Sequence, residues 1–276
     1  MSAMGEEARR RYARHLMLDR VGETGQAKLL SARVLVVGAG GLGSPVIFYL
    51  AAAGVGLIGA ADSDVVDISN LQRQILHSTP DIGRLKTDSA RDTVVALNPD
   101  VKFAPVAERI TPDNVMDILS GYDIAVDACD NFHTRYLVND ACALQRKPFV
   151  HGGVFQFEGQ ASTFIAGKGP CYRCLFPTPP DPEIIPRGNE IGLLGVVPGT
   201  IGLIQATETV KLILGLGDSL VGRLLIYDAL KMRFRELNIR RDPGCRVCGE
   251  QPSITNISPG EQSYIAPRLT PRSSAD

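Results

Sequence analysis

Arg33-Val-Leu-Val-Val37, followed at once by Gly38-Ala-Gly-Gly-Leu-Gly43 and Ser44-Pro45, is the stretch on which the fold turns. The β-branched run suits a short strand buried on both faces of a parallel sheet. Gly38, Gly40 and Gly43 supply the spacing GxGxxG, and Gly41 lies inside the same loop. Glycine permits a tight turn and lets a phosphate approach backbone N–H groups closely. A helix opening at Ser44-Pro45 adds its dipole at the same place. Proline fits there because a first helical turn has no partner for the missing N–H. Gly54 stops the helix, and Val55–Ala61 is predicted to form a second strand with Asp62 at its end. A carboxylate there lies within reach of a ribose diol. The motif fits an adenine nucleotide but does not separate NAD from ATP.

Working outward, the alternation continues. Helices are predicted over 86–97, 111–120 and 132–145, and strands over 101–105, 123–129 and 148–152. Strands alternating with helices argue for a mostly parallel sheet with right-handed crossovers and helices on both faces. Residues 6–30 are predicted helical, interrupted by Gly22 and Gly25. After about residue 154 the pattern changes. Residues 155–165 alternate like an antiparallel hairpin bending at Gly159. Pro177, Pro179, Pro180, Pro182 and Pro186 suggest an exposed crossover loop. A helix over 198–214 and strands over 224–228 and 234–237 complete the chain.

The 276 residues are 44% hydrophobic and 21% charged, with 29 basic and 30 acidic side chains for a net charge of -1. That composition can bury a core and gives no positive field for nucleic acid. No apolar run reaches the roughly 18 residues of a membrane span, and the charged first thirty residues do not resemble a signal peptide. A cytoplasmic location is expected. Four of the six cysteines form two pairs, Cys171/Cys174 and Cys245/Cys248. Two CxxC half-sites suit a tetrahedral all-thiolate Zn²⁺ site of structural type. The remaining cysteines, Cys129 and Cys142, fall on buried-looking strand and helix positions.

The expected fold class is therefore α/β. A Rossmann-like, mostly parallel sheet flanked by helices continues into an antiparallel C-terminal portion with a four-cysteine zinc site. The expected organisation is a helical segment (1–30), a nucleotide-binding part (31–153), an antiparallel, zinc-stapled part with the crossover loop (154–249) and a loose tail (250–276).

Charge after the second strand separates the nucleotides. Asp64, Asn70, Arg73, Gln74 and Lys86 crowd this region. An NAD site needs few charges near its pyrophosphate, whereas ATP brings three phosphates and a charged leaving group. Arg73 and Lys86 suit that task through charge-assisted hydrogen bonds. Asn70 either orients a phosphate or the ribose, or caps the following turn. Asp127 and Asp130 flank the end of the 123–129 strand, the active edge of an open parallel sheet. Asp130, beyond the strand, is the better candidate to hold Mg²⁺ between phosphate oxygens, the alternative being a plain helix cap. His151, at a strand end, is a further candidate for lining the site.

Together these pieces resemble the MoeB/ThiF/HesA family of adenylating enzymes, related to the E1 activating enzymes of ubiquitin. The matching segments are Arg11-Tyr-Ala-Arg14, Gly38–Gly43, Asp62-Ser-Asp64, Ser69-Asn-Leu-Gln-Arg-Gln74, Gly83-Arg-Leu-Lys86, Asp127-Ala-Cys-Asp-Asn131, Cys171-Tyr-Arg-Cys174 and Arg241–Cys248. The resemblance implies ATP-dependent adenylation of a ubiquitin-like sulfur carrier protein ending in Gly-Gly, with release of pyrophosphate. It implies that Asp62 holds the ribose, that Arg73 and Lys86 contact phosphates and that Asp130 ligates Mg²⁺. It also implies a homodimer, in which Arg14 reaches the γ-phosphate of the neighbouring subunit's ATP. Many relatives carry a cysteine where this chain has Gly188, which cannot form a thioester. No rhodanese-like domain follows residue 249, so sulfur is expected from a separate sulfurtransferase. An NAD-dependent oxidoreductase and a catalytically silent nucleotide-binding scaffold are the alternatives.

Overall fold

A computed structural model describes residues 4–181, 192–259 and 264. Three short helices come first: α1 (Glu6–Arg11), α2 (Ala13–Leu16) and α3 (Gly22–Ser31). The nucleotide half follows as β1 (Arg33–Val37), α4 (Gly43–Ala53), β2 (Leu57–Ala61), α5 (Lys86–Leu97), β3 (Lys102–Val106), α6 (Val115–Ser120), β4 (Ile124–Asp127) and α7 (Phe132–Leu144). The remainder comprises β5 (Phe149–Phe155), β6 (Glu158–Phe164), α8 (Tyr172–Leu175), α9 (Val196–Leu214), β7 (Arg223–Asp228) and β8 (Arg233–Asn238).

All these strands join one sheet in the order β3-β2-β1-β4-β5-β6-β7-β8. Pairing is parallel from β3 to β5 and antiparallel from β5 to β8. The sheet therefore runs through the expected 153/154 boundary, because β5 pairs with β4 on one side and β6 on the other. Successive side chains of a strand face opposite ways. Val34 and Val36 accordingly pack with Leu50, Ile58, Val94 and Ile201 beneath α4, α5 and α9. Leu35 and Val37 pack with Leu119, Tyr136 and Leu137 beneath α6 and α7. The chain leaves β1 for β2 and β3 on one side, then returns to place β4 on the other. That reversal opens a crevice at the carboxyl ends of β1 and β4, where open α/β sheets bind their ligands.

Several expectations shift. The hairpin turns at Gln156, whose φ is +51°, and not at Gly159, which pairs with Val154 inside β6. Glycine is needed at 159 for another reason: a Cβ there would sit 2.3 Å from Ile201 Cγ1 of α9. Gly25 does not interrupt the N-terminal helix either. It lies buried within α3, where a Cβ would meet Leu214 Cδ2 at 3.2 Å. Of the stretch expected to be a loose tail, Ile257 and Tyr264 are buried, and the Tyr264 hydroxyl donates to Asp140. Gly188 and the prolines at 182 and 186 lie outside the described residues.

Candidate active site

Gly38 leaves β1 with φ +102°, and a Cβ on it would lie 2.5 Å from the Ala128 carbonyl oxygen. The loop after β1 thus rests directly on the turn after β4. Gly43 opens α4, and a Cβ there would fall 1.9 Å from the Gly38 carbonyl oxygen. Both obstacles are backbone and cannot give way. Gly43→Ala is expected to cost about 2–4 kcal/mol, or roughly 3–7 °C in melting temperature. Thermal melting checks this, and an unchanged melt would show that the loop has room to rearrange.

The other nucleotide candidates gather round this loop. Asp62 accepts from Ala39 N–H at 2.9 Å through Oδ2 and from Asp64 N–H at 2.9 Å through Oδ1. Lys86 opens α5 as a buried ammonium 3.0 Å from Asp64 Oδ2 and 3.9 Å from Asp62 Oδ2. A lone buried ammonium is costly unless paired, and these two carboxylates pair it beside the loop. Gln74 is 5% exposed, its buried Oε1 has no hydrogen-bond partner among the described residues, and its Nε2 lies 3.6 Å from where a Gly40 Cβ would be. Arg73 Cγ lies 3.4 Å from the corresponding position at Gly41. Its Nη1 donates to the Ser69 carbonyl at 3.0 Å. Asn70 acts as a turn cap: its Oδ1 accepts from Asp67 N–H at 3.2 Å in a reciprocal capping box.

The two aspartates beside β4 separate cleanly. Asp130 is exposed, three residues past the end of β4. Asp127, which sequence placed at the same active edge, is buried and engaged in the interior. Its Oδ2 accepts from Arg135 Nε at 2.7 Å and from His151 Nδ1 at 2.7 Å. Burial pushes its carboxyl up, but the Arg135 guanidinium and the His151 hydrogen bond outweigh this and hold it at about 2. Burial also lowers His151, so the ring is neutral and donates through Nδ1. His151 is fully buried and supports Asp127 without lining an open site. Arg14 lies exposed on α2, and among the described residues no hydrogen bond joins it to the loop.

Two residues were not singled out by sequence. His77 Nε2 donates to the Ala39 carbonyl at 2.9 Å, and Nδ1 accepts from Ser89 Oγ at 2.8 Å, tying the glycine loop to α5. Burial keeps this ring below its ordinary range and neutral. A lone histidine gives no sequence signal of such a role. Arg135 did leave one, since a cation within a helix's first turn opposes the dipole and demands a partner.

Cys171, Cys174, Cys245 and Cys248 converge, with all four Sγ atoms within 4.8 Å of one another. Sγ–Sγ separations of 3.5 Å (171–245), 3.4 Å (174–248) and 4.0 Å (171–174) are near the edge of about 3.8 Å that tetrahedral Zn–S bonds of about 2.3 Å require. This cluster is able to bind a metal ion. Cys129 and Cys142 are buried, and burial raises both thiols well above their ordinary range.

A glycine loop at the switch point, with a buried ammonium, a guanidinium and an exposed carboxylate beside it, defines a nucleotide-handling α/β enzyme with a separate four-cysteine cluster. The ThiF family matches residues 12–247, and the chain belongs to it as an E1-like adenylating enzyme. It is 54% identical over 240 residues to the SAMP-activating enzyme E1 of Haloferax volcanii, covering 87% of this chain and 88% of that one. It is 50% identical over 248 residues to the sulfur carrier protein adenylyltransferase of Thermus thermophilus, covering 88% and 92%. Against the probable adenylyltransferase/sulfurtransferase MoeZ of Mycobacterium tuberculosis it is 49% identical, covering 95% of this chain and only 66% of MoeZ. The crystal structure of E. coli MccB with MccA-N7isoAsn shares the fold, with a TM-score of 0.76 at 23% identity over 87% of this chain and 74% of that one. Among the described residues no helix is long and apolar enough to cross a membrane.

Proposed function

We propose that this chain uses ATP and Mg²⁺ to adenylate the C-terminal Gly-Gly carboxylate of a ubiquitin-like sulfur carrier protein, releasing pyrophosphate. The observation that carries this reading is the convergence of Lys86, Asp62, Arg73 and Gln74 on one glycine loop, with Asp130 on the turn that loop rests against. The names borne by the relatives, a SAMP-activating E1 and a sulfur carrier adenylyltransferase, support the choice of substrate.

The incoming carboxylate is ionised near neutral pH, so no strong base is needed. Its approach to the α-phosphorus is opposed mainly by repulsion from the phosphates. Lys86 and Arg73 offset that repulsion, and they offset it most as charge builds on the leaving pyrophosphate. Asp62 is assigned to the ribose, and the Gly38–Gly43 backbone to the phosphates. Asp130 suits Mg²⁺ because that ion takes one or two carboxylates together with substrate phosphates. When bound, the ion would neutralise phosphate charge.

Arg14 is assigned to the ATP of a neighbouring subunit, which makes the working enzyme a homodimer. The thiolate cluster is assigned to Zn²⁺. Thiolation of the adenylate is assigned to a separate sulfurtransferase, because Cys129 and Cys142 are buried thiols and the other four belong to the cluster. With no membrane-crossing helix described and no basic field, the setting proposed is the cytoplasm, without membrane or nucleic-acid partners. The decisive assay is ATP–pyrophosphate exchange with carriers ending in Gly-Gly, alongside intact-mass detection of the acyl-adenylate. Exchange that ignores the carrier, or a mass shift absent with every such carrier, sinks the proposal.

A further inference from the structure

Between β4 and α7 the chain makes a short turn, Ala128-Cys129-Asp130-Asn131. Its backbone is held on both sides of Asp130. Cys129 N–H and its thiol reach Asp127 Oδ1 at 3.3 and 2.8 Å. The Cys129 carbonyl accepts from Arg135 Nη2 at 2.8 Å. Asn131 Oδ1 caps α7 by accepting from Thr134 N–H at 2.9 Å. Arg135 is the common member: its Nε goes to Asp127 Oδ2 at 2.7 Å, and Nη2 also lies 3.4 Å from the Gly152 carbonyl. One guanidinium thus ties the end of β4, the turn and β5 together, 93% buried, with its carbon 5.4 Å from the Phe132 ring centroid.

A buried guanidinium–carboxylate pair adds little net stability, because desolvation offsets the attraction. What the planar fork adds over a point charge is fixed direction. Here that direction is spent on the carbonyl immediately before Asp130. The preceding residue supplies the carbonyl on which Gly38 rests. We propose that Arg135 is a positioning residue for the nucleotide chemistry: its fork, braced by Asp127, fixes the backbone at Asp130 beside the glycine loop so that this carboxylate meets the metal–phosphate unit in register. The proposal rests on reading Asp130 as the Mg²⁺ ligand. Asp127 does not depend on Arg135 alone for its place, since His151 Nδ1 donates to its carboxylate and Gln205 Nε2 to its carbonyl at 2.7 Å.

Arg135→Lys tests this, because lysine keeps a cation for Asp127 but loses the fork to the Cys129 carbonyl. ATP binding is measured by titration calorimetry with and without Mg²⁺, and exchange is measured against Mg²⁺ and carrier concentration. The expected result is a cooperative melt, ATP binding without Mg²⁺ like wild type, and a loss of the Mg²⁺-dependent gain in affinity of about 10-fold or more. In exchange, the Mg²⁺ half-saturation should rise and kcat fall by a similar factor, with the carrier KM unchanged. A lysine variant with the wild-type Mg²⁺ response overturns the proposal. So does one that fails to fold, because Arg135 would then be serving stability. The calorimetry needs no carrier. Failure of wild type to exchange with any Gly-Gly carrier would therefore count against the function alone, while a wild type whose ATP binding ignores Mg²⁺ would overturn the positioning role itself.

Discussion

Asp130→Ala is expected to lower carrier-dependent ATP–pyrophosphate exchange by about 10²–10³-fold or more while the protein still melts cooperatively. Its side chain is exposed and stands outside the buried network of its neighbours. Exposed substitutions away from such networks cost within about 0.5 kcal/mol, or roughly 1–2 °C in a chain of this size. The contrast with Asp127 makes the experiment sharp. Asp127→Ala strands the Arg135 guanidinium and removes the partner of His151 in the interior. Breaking a buried pair by deleting one member costs about 3–5 kcal/mol, a large share of the stability of most domains. Two aspartates three residues apart should therefore fail in opposite ways, one in turnover with an intact melt and the other in the melt itself. Near-normal exchange by Asp130→Ala would remove this residue from the chemistry.

What was legible in the sequence, and what was not, divides along the same line. The strand, loop and helix of Arg33–Ala53 could be read because each residue answers a local demand: β-branching for a buried strand, glycine for the turn, proline for a first helical turn. The paired CxxC spacing could be read because metal geometry restricts ligand spacing. The role of Gly159 is not legible in sequence because its demand is tertiary: Ile201, forty-two positions away, leaves no room for a Cβ. Asp130 is the better metal candidate from sequence because it lies beyond the strand, but spacing says nothing of what Asp127 binds. Only the packing of β5 and α7 against β4 brings His151 and Arg135 to one of them and leaves the other exposed. Lys86 was anticipated as a cation for phosphates. That it rests between Asp62 and Asp64 follows from the approach of β2's end to the start of α5, which no spacing rule encodes.

The largest stability effect is expected at the four-thiol cluster. Elemental analysis should find one Zn²⁺ per chain. Removing it with a chelator should lower the melting temperature by on the order of 10 °C, because a structural zinc contributes its binding energy to folding. The cluster joins α8 to the segment after β8, pinning Cys171 against Cys245 and Cys174 against Cys248 across seventy-four positions of sequence each. Among the described residues, the hydrophobic cluster around it consists of Val247, Ile254, Ala143 and the cysteines themselves, a small group beside the two main clusters of the core. So little apolar burial is a weak substitute for a metal in holding these segments together. Cys245→Ser should act in the same direction, and zinc retention should weaken as pH falls, because protons compete for the thiolates. Nucleotide binding measured well below the melt should change little, since among the described residues no hydrogen bond joins the cluster to the glycine loop, Lys86 or Asp130. Full loss of zinc with an unchanged melt would deny the structural role. If that loss also stopped pyrophosphate exchange, the cluster would be required for the chemistry as well as for the fold.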